Sequence, residues 1–241
     1  MRVVFDAYEW RARVFPAVIV SLPVVIALWS ALLWKDITVG GGTASGLVSL
    51  AIIYALSTVV RSNGVRLQQE LFKKWGAHPS TIVLRWRDKT LGNDLKAKYR
   101  RAVVSTLKLP IPTEREESEN PADADKLIAQ AFDRIRGVLR DEDADGLWAT
   151  HNADYGFHRN LMGSRVLWLS VSVVGVLVSG ILVYLQPTKT AASGLVANFG
   201  IVAGCLYMGW STLPRGLEES AFQYALAAWE SFLVLSKRGS S

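Results

Sequence analysis

Two long stretches of this chain are almost without charge. Residues 14–60 contain only Lys35 and Asp36, and residues 166–213 only Lys189. A helix rising about 1.5 Å per residue needs about 20 apolar residues to cross a bilayer core. Four segments meet that requirement: 14–34, 43–60, 166–185 and 192–210. The connectors 35–42 and 186–191 are too short to hold a domain, so the spans pair into two hairpins. Half of the residues are hydrophobic and 20% are charged, against about 25% charged in an ordinary soluble domain. That balance excludes a freely soluble enzyme, a disordered regulator and a disulfide-stapled module. A single cysteine, Cys205, leaves no disulfide framework and no Cys-based metal site.

Lys and Arg assign the sides. Arg2, Arg11 and Arg13 precede the first span, Arg215, Lys237 and Arg238 follow the last, and residues 61–165 carry nineteen more. The two short connectors hold only Lys35 and Lys189. By the positive-inside rule both termini and the middle segment are cytoplasmic. Trp10, Trp34, Trp168, Tyr184, Tyr207 and Trp210 fall at expected interfaces. The first span is too long for the apolar run of a signal peptide and lacks a small-residue cleavage site. Pro16 sits harmlessly in its first turn, and Pro23 is expected to kink it. The expected fold is therefore an all-α membrane protein of two transmembrane hairpins with a mainly helical cytoplasmic domain inserted between them. Its parts are a tail (1–13), hairpin one (14–60), the cytoplasmic domain (61–165), hairpin two (166–213) and a C-terminal amphipathic helix (214–241).

The inserted domain is electrically divided. Residues 61–108 carry twelve Lys or Arg against three acids, a net of +9, and residues 109–165 carry seven against twelve, a net of −5. Leu109-Pro110-Ile111-Pro112 makes a stiff joint between them. Spacing predicts a helix over 65–75, ended by Gly76 and Pro79, then a short strand over 80–87 where Ile82, Leu84 and Trp86 alternate with Thr81, Val83, Arg85 and Arg87. A helix is expected over 94–107, a solvated loop over 114–119, and after Pro121 a helix carrying Ile128, Phe132, Ile135 and Leu139 on one face. Beyond the fourth span, Phe222, Ala225, Leu226, Trp229, Phe232 and Leu233 form another apolar stripe. The opposite face holds Glu218, Glu219, Gln223 and Glu230, which anionic lipid would repel, so docking on protein is expected.

The densest cation set is Lys73, Lys74, Arg85, Arg87, Lys89, Lys96, Lys98, Arg100 and Arg101, interleaved with Trp75, Trp86 and Tyr99. Cations with aromatic platforms suit an oligonucleotide, neutralising phosphates and stacking bases. The same set suits anionic headgroups beside the membrane, and both readings stand. Asp141 to Gly146 matches the first half of a calcium loop, but Asn152 occupies the position of the bidentate Glu, so a solvated acidic turn is expected. His78, His151 and His158 show no ligand spacing, and no nucleophile elbow or phosphate-binding glycine loop is present. No metal, cofactor or catalytic residue is therefore assigned. The spans lack an ionisable group at mid-depth. Ser45, Ser49, Asn198, Gly200 and Gly204 are left as candidates for pore lining or close helix packing.

Two motifs occur together. Leu71-Phe-Lys-Lys-Trp-Gly-Ala-His-Pro79 followed by Leu84-Arg-Trp-Arg-Asp88 resembles W-G-x-x-P … L-R-x-R-D, and Asn152-Ala-Asp-Tyr-Gly-Phe-His-Arg-Asn-Leu161 resembles N-x-x-Y-G-F-x-R-N-L. Both resemble a family of small bacterial four-span proteins associated with the membrane effectors of Hailong-type anti-phage defence. The resemblance implies a pore in the bacterial inner membrane, controlled by an oligonucleotide or cyclic nucleotide made by a partner nucleotidyltransferase, with no duplex DNA expected. Tyr155, Gly156, Phe157, Arg159 and Asn160 precede the third span, where they could couple domain to spans or anchor at the interface. Four spans enclose little by themselves, so a channel would be a homo-oligomer. The competing expectation is a non-conducting scaffold or sensor that recruits partners through the charged domain.

Overall fold

The computed structural model describes residues 7–32, 39–142 and 146–238, and of residues 7, 31–32 and 39–49 the backbone alone. Every regular element among them is helical: α1 (Ala7–Glu9), α2 (Phe15–Leu32), α3 (Val39–Trp75), α4 (Pro79–Leu84), α5 (Asn93–Ala102), α6 (Glu114–Glu119), α7 (Pro121–Glu142), α8 (Leu147–Gly163), α9 (Arg165–Leu185), α10 (Lys189–Tyr207) and α11 (Leu213–Arg238). Wider π-turns occupy Trp10–Val14, Val103–Leu107 and Met208–Thr212. Among the described residues, three helical stretches, Trp10–Ser30, Arg165–Leu185 and Lys189–Arg238, are long and apolar enough to cross a membrane. The segment 43–60 lies in α3, and its side chains before Leu50 fall outside the described residues.

The chain divides into two compact units. Unit 1 takes residues 1–67 and 156–217, and unit 2 takes 68–155 and 218–241. In unit 1, α2, α9 and α10 pack on one another. Trp168, Ser172, Gly175 and Ser179 form the buried face of α9 at helical spacing. Gly175 lets the Pro23 ring in: a Cβ there would lie 2.8 Å from Pro23 Cβ. Ala17, Val20, Val60, Leu161, Trp168, Cys205 and Leu213 form one buried apolar cluster. The outer faces carry Val173, Leu177, Ile181, Val196 and Phe199 exposed, which is compatible with helices able to cross a membrane.

In unit 2, α7 buries Ile128, Phe132, Ile135 and Leu139, the stripe expected from the sequence. The apolar face of α11 packs there too: Trp229 stacks on Tyr99 and tilts against Phe132, and its Nε1 donates to Ser80 O at 3.1 Å. Two expectations need correction. The predicted strand over 80–87 is the helix α4 followed by a turn. His78 caps α4, its Nδ1 accepting from Ser80 N at 3.1 Å, and Pro79 supplies a pre-set first residue. The alternation was misleading because Ser80, Thr81, Val83 and Leu84 are all buried. The expected solvated loop over 114–119 is the helix α6, started by a capping box between Thr113 and Glu116, with Glu117 buried.

Candidate functional site

The cation set expected to form one binding surface is divided by the fold of unit 2. Arg85 bonds both oxygens of Asp125 at 2.9 and 2.7 Å, and its Nη2 donates to Gly76 O at 3.2 Å. Arg87 reaches Asp125 and Glu117, each at 2.9 Å. Glu117 also accepts from the backbone N–H groups of Trp86 and Arg87 at 3.0 and 3.1 Å. Lys96 is buried and donates to the carbonyls of Arg85 and Asp88. Burial, outweighing the nearby carboxylates, pulls its ammonium below the ordinary lysine range. Arg100 bonds Pro112 O, Leu84 O at 2.7 Å and Glu117 at 3.4 Å, and its guanidinium lies 4.6 Å from the Trp86 ring centre. Desolvation lowers its pKa to about 10 against the pull of Glu117. Four cations are therefore used to fold the turn 84–88 onto α5, α6 and α7.

The aromatic platforms are used in the same way. Trp75 packs on Phe72 and Phe222, and Trp86 lies against Arg100. Gly76, at φ 80°, closes α3 in the left-handed conformation that favours glycine. The Leu71–Asp88 motif is thus a folding element: a glycine stop, a histidine cap, a proline start and two arginines tied to Asp125.

The remaining cations of the set are open. Lys73, Lys74, Lys89, Lys98 and Arg101 are exposed. Lys98 and Arg101 line a groove of about 600 Å³ with Arg100, Ala102, Val104, Ser105, Ile111, Leu233, Ser236 and Lys237. That volume suits a small organic ligand, for which about 300–1,000 Å³ is usual. Among the described residues, four cations and no carboxylate line it. One wall is the π-turn Val103–Leu107, a local widening of the kind often found at functional sites. Arg100 adds a further signal, because its Nε is buried without a partner while its side chain lines the groove. The sequence singled out Lys98, Arg100 and Arg101 and missed Lys237. Only its place in the last turn of α11, four residues after the groove-lining Leu233, marks it in sequence.

The Tyr155–Asn160 motif is divided between the units. In unit 2 Tyr155 is buried and stacks on Tyr224 at 5.6 Å. In unit 1 a Cβ on Gly156 would meet Ala12 Cβ at 2.7 Å, so α8 approaches the π-turn Trp10–Val14 closely there. Phe157 packs against the apolar cluster. Arg159 Nε donates to Asn160 Oδ1 at 3.1 Å, and the fully buried Asn160 donates from Nδ2 to Ala12 O at 2.6 Å. Asn160 also fills the notch at Gly64, where a Cβ would lie 2.8 Å from its Cα.

Among the expected pore or packing residues, the side chains of Ser45 and Ser49 lie outside the described residues. Asn198 is buried and donates to Gly175 O at 3.2 Å and Ser179 Oγ at 2.9 Å, while its Oδ1 has no partner. Gly200 and Gly204 face open space, with nothing described within 4 Å of a Cβ at either. The expected acidic turn falls partly on residues 143–145, outside the described residues. No family model, curated protein or solved structure matches this chain.

Proposed function

We propose that the chain is one subunit of a homo-oligomeric channel, an effector of bacterial anti-phage defence gated by a phosphate-bearing nucleotide or oligonucleotide. In this reading four spans cross the inner membrane, both termini and the charged unit are cytoplasmic, and the groove of Lys98, Arg101 and Lys237 receives the ligand. The observation that carries it is the gathering of the exposed Lys98 and Arg101 with Arg100 and Lys237 on one groove whose wall includes the end of α11. That helix belongs to the 50-residue helical stretch Lys189–Arg238, which also holds the fourth expected span. A ligand bridging Lys98 and Arg101 to Lys237 would bear on that stretch. The open faces at Gly200 and Gly204 fit a contact between subunits, since small residues allow close helix approach in a bilayer. The two motifs resembling Hailong-type effectors are what suggests a role in defence.

The test is the conductance of purified protein in planar bilayers, with a short single-stranded oligonucleotide added and washed out. The expected result is a current that the oligonucleotide changes reversibly, and charge reversal at Lys98 and Arg101 abolishes the response while leaving the current. Binding should weaken with salt at a slope of roughly two for three phosphate contacts. Silence under every condition would favour the non-conducting scaffold, and a salt-independent affinity would remove the phosphate.

A further inference from the structure

Two of the π-turns share a sequence register. In the first, Phe15 N–H reaches back five residues to Trp10 O, and the next residue is Pro16. In the second, Leu213 N–H reaches back five residues to Met208 O, and the next residue is Pro214. Each turn therefore starts six residues before a proline. The combination has a backbone consequence. The five-residue step passes over one carbonyl, and proline has no N–H to offer either that carbonyl or the next. In the first turn this leaves Arg11 O and Ala12 O without the proline's hydrogen bond, and in the second Gly209 O and Trp210 O.

One carbonyl at each place takes a side-chain donor instead, and both donors come from the junction of α8 and α9. Asn160 Nδ2 donates to Ala12 O at 2.6 Å, in a fully buried setting. Arg165 Nη1 donates to Gly209 O at 3.4 Å, with its guanidinium 5.1 Å from the Trp210 ring centre. Only Ser164 stands between the end of α8 at Gly163 and the start of α9 at Arg165. Gly163 allows the close approach there, since a Cβ on it would lie 2.7 Å from Asn63 O. Arg159, which donates to Asn160 Oδ1, fixes the amide so that its Nδ2 points at Ala12.

We infer that Asn160 and Arg165 are a pair of latches that hold two proline-terminated π-turns in their wide form. A π-turn holds one residue more than an α-turn, so each is a place where a helix can change register by one residue. Such a change turns the following helix by about 100°. The first turn leads into α2, and the second joins α10 to α11. The latches thus control the rotation of two of the three helical stretches able to cross a membrane. This is a conformational device of unit 1, and it stands whether or not the groove binds a nucleotide.

The test is hydrogen exchange on the full chain in lipid nanodiscs, followed in peptides covering 10–20 and 206–216. Asn160→Asp keeps the size of the side chain but removes the amide donor. The expected result is exchange roughly tenfold faster in the first peptide. Adding Pro16→Ala restores an N–H to Ala12 O and should return the exchange toward wild type, a rescue that a packing role for Asn160 does not predict. Arg165→Gln and Pro214→Ala form the parallel pair for the second peptide. Unchanged exchange in Asn160→Asp, or failure of Pro16→Ala to rescue it, overturns the inference. If Asn160→Asp does not fold, Pro16→Ala alone decides. Slower exchange in residues 10–20 supports the latch, and equal or faster exchange refutes it.

Discussion

Among the described residues of unit 1 the buried polar side chains are small and neutral, and most bond to backbone carbonyls. Ser21, Ser30, Ser57 and Ser172 each donate to a carbonyl three or four residues back in their own helix, and Asn160 and Asn198 reach carbonyls of other segments. In unit 2 the buried polar side chains include Lys96, Arg100 and Glu117, and they hold turns together through charge. The difference follows from what each unit must exclude. A helix in lipid has already satisfied its backbone, so small side chains serve close approach and local orientation. A small charged unit has irregular turns whose N–H and C=O groups need partners, and a carboxylate or ammonium supplies several at once.

The largest effect that tests this comparison is expected at Glu117. It accepts from two backbone N–H groups and two guanidinium groups, and its loss leaves Arg100 buried without its counter-charge. Glu117→Ala should destabilise unit 2 by about 3–5 kcal/mol, read from thermal or denaturant unfolding. A cost near that of a surface ion pair would show that the buried charges are incidental.

The next effect is a pH dependence confined to unit 2. His78 is packed among Phe72, Phe132 and Tyr224, and burial lowers its pKa from 6.5 to about 4, helped by Arg136 and opposed by Asp133. Its folded pKa lies below its unfolded one, so the folded state binds fewer protons. The stabilisation is present above pH 6.5 and is lost as pH falls from there to about 4. The full loss is about 3 kcal/mol, and His78→Gln should flatten the Tm–pH curve over that window. Exchange in peptides of α9 and α10, in unit 1, should not follow that curve.

Gly64 tests the other side of the comparison. Alanine would gain about 1 kcal/mol of helix propensity, but its Cβ would press on Asn160 Cα at 2.8 Å, a backbone atom that cannot swing away. The clash should win, with a net cost of about 1–3 kcal/mol in detergent-solubilised protein. A neutral or stabilised Gly64→Ala would mean that α3 and α8 have room to separate.

The apolar runs, the stripe of α7 and the docking face of α11 were legible because each depends on neighbours three or four residues away. The fate of the cations was not. Arg85 finds Asp125 forty residues on, and Arg87 finds Glu117 thirty residues on, so nothing local distinguishes them from the exposed Lys98 and Arg101. The strand expected over 80–87 failed for a related reason: alternation marks a half-buried strand only when one face is wet, and α4 is buried on nearly every side. The Tyr155–Asn160 motif was visible as a motif, but Asn160 acts on Ala12, 148 residues away. The hint in the sequence was the proline four residues after Ala12, which removes a donor that something else must replace.

The smallest effect is expected at Asn198, and it bears most directly on the comparison. This fully buried amide bonds Gly175 O and Ser179 Oγ, yet its Oδ1 takes no hydrogen bond. Hydrogen bonds between membrane helices average only about 0.6 kcal/mol, because polar groups also find partners when helices separate. Removing the unsatisfied Oδ1 repays part of even that amount. Asn198→Ala should therefore cost under about 1 kcal/mol in unfolding from mixed micelles, several-fold less than Glu117→Ala. A cost as large as that of Glu117 would break the comparison, because it would mean that a single amide anchors unit 1 as firmly as the buried charges anchor unit 2.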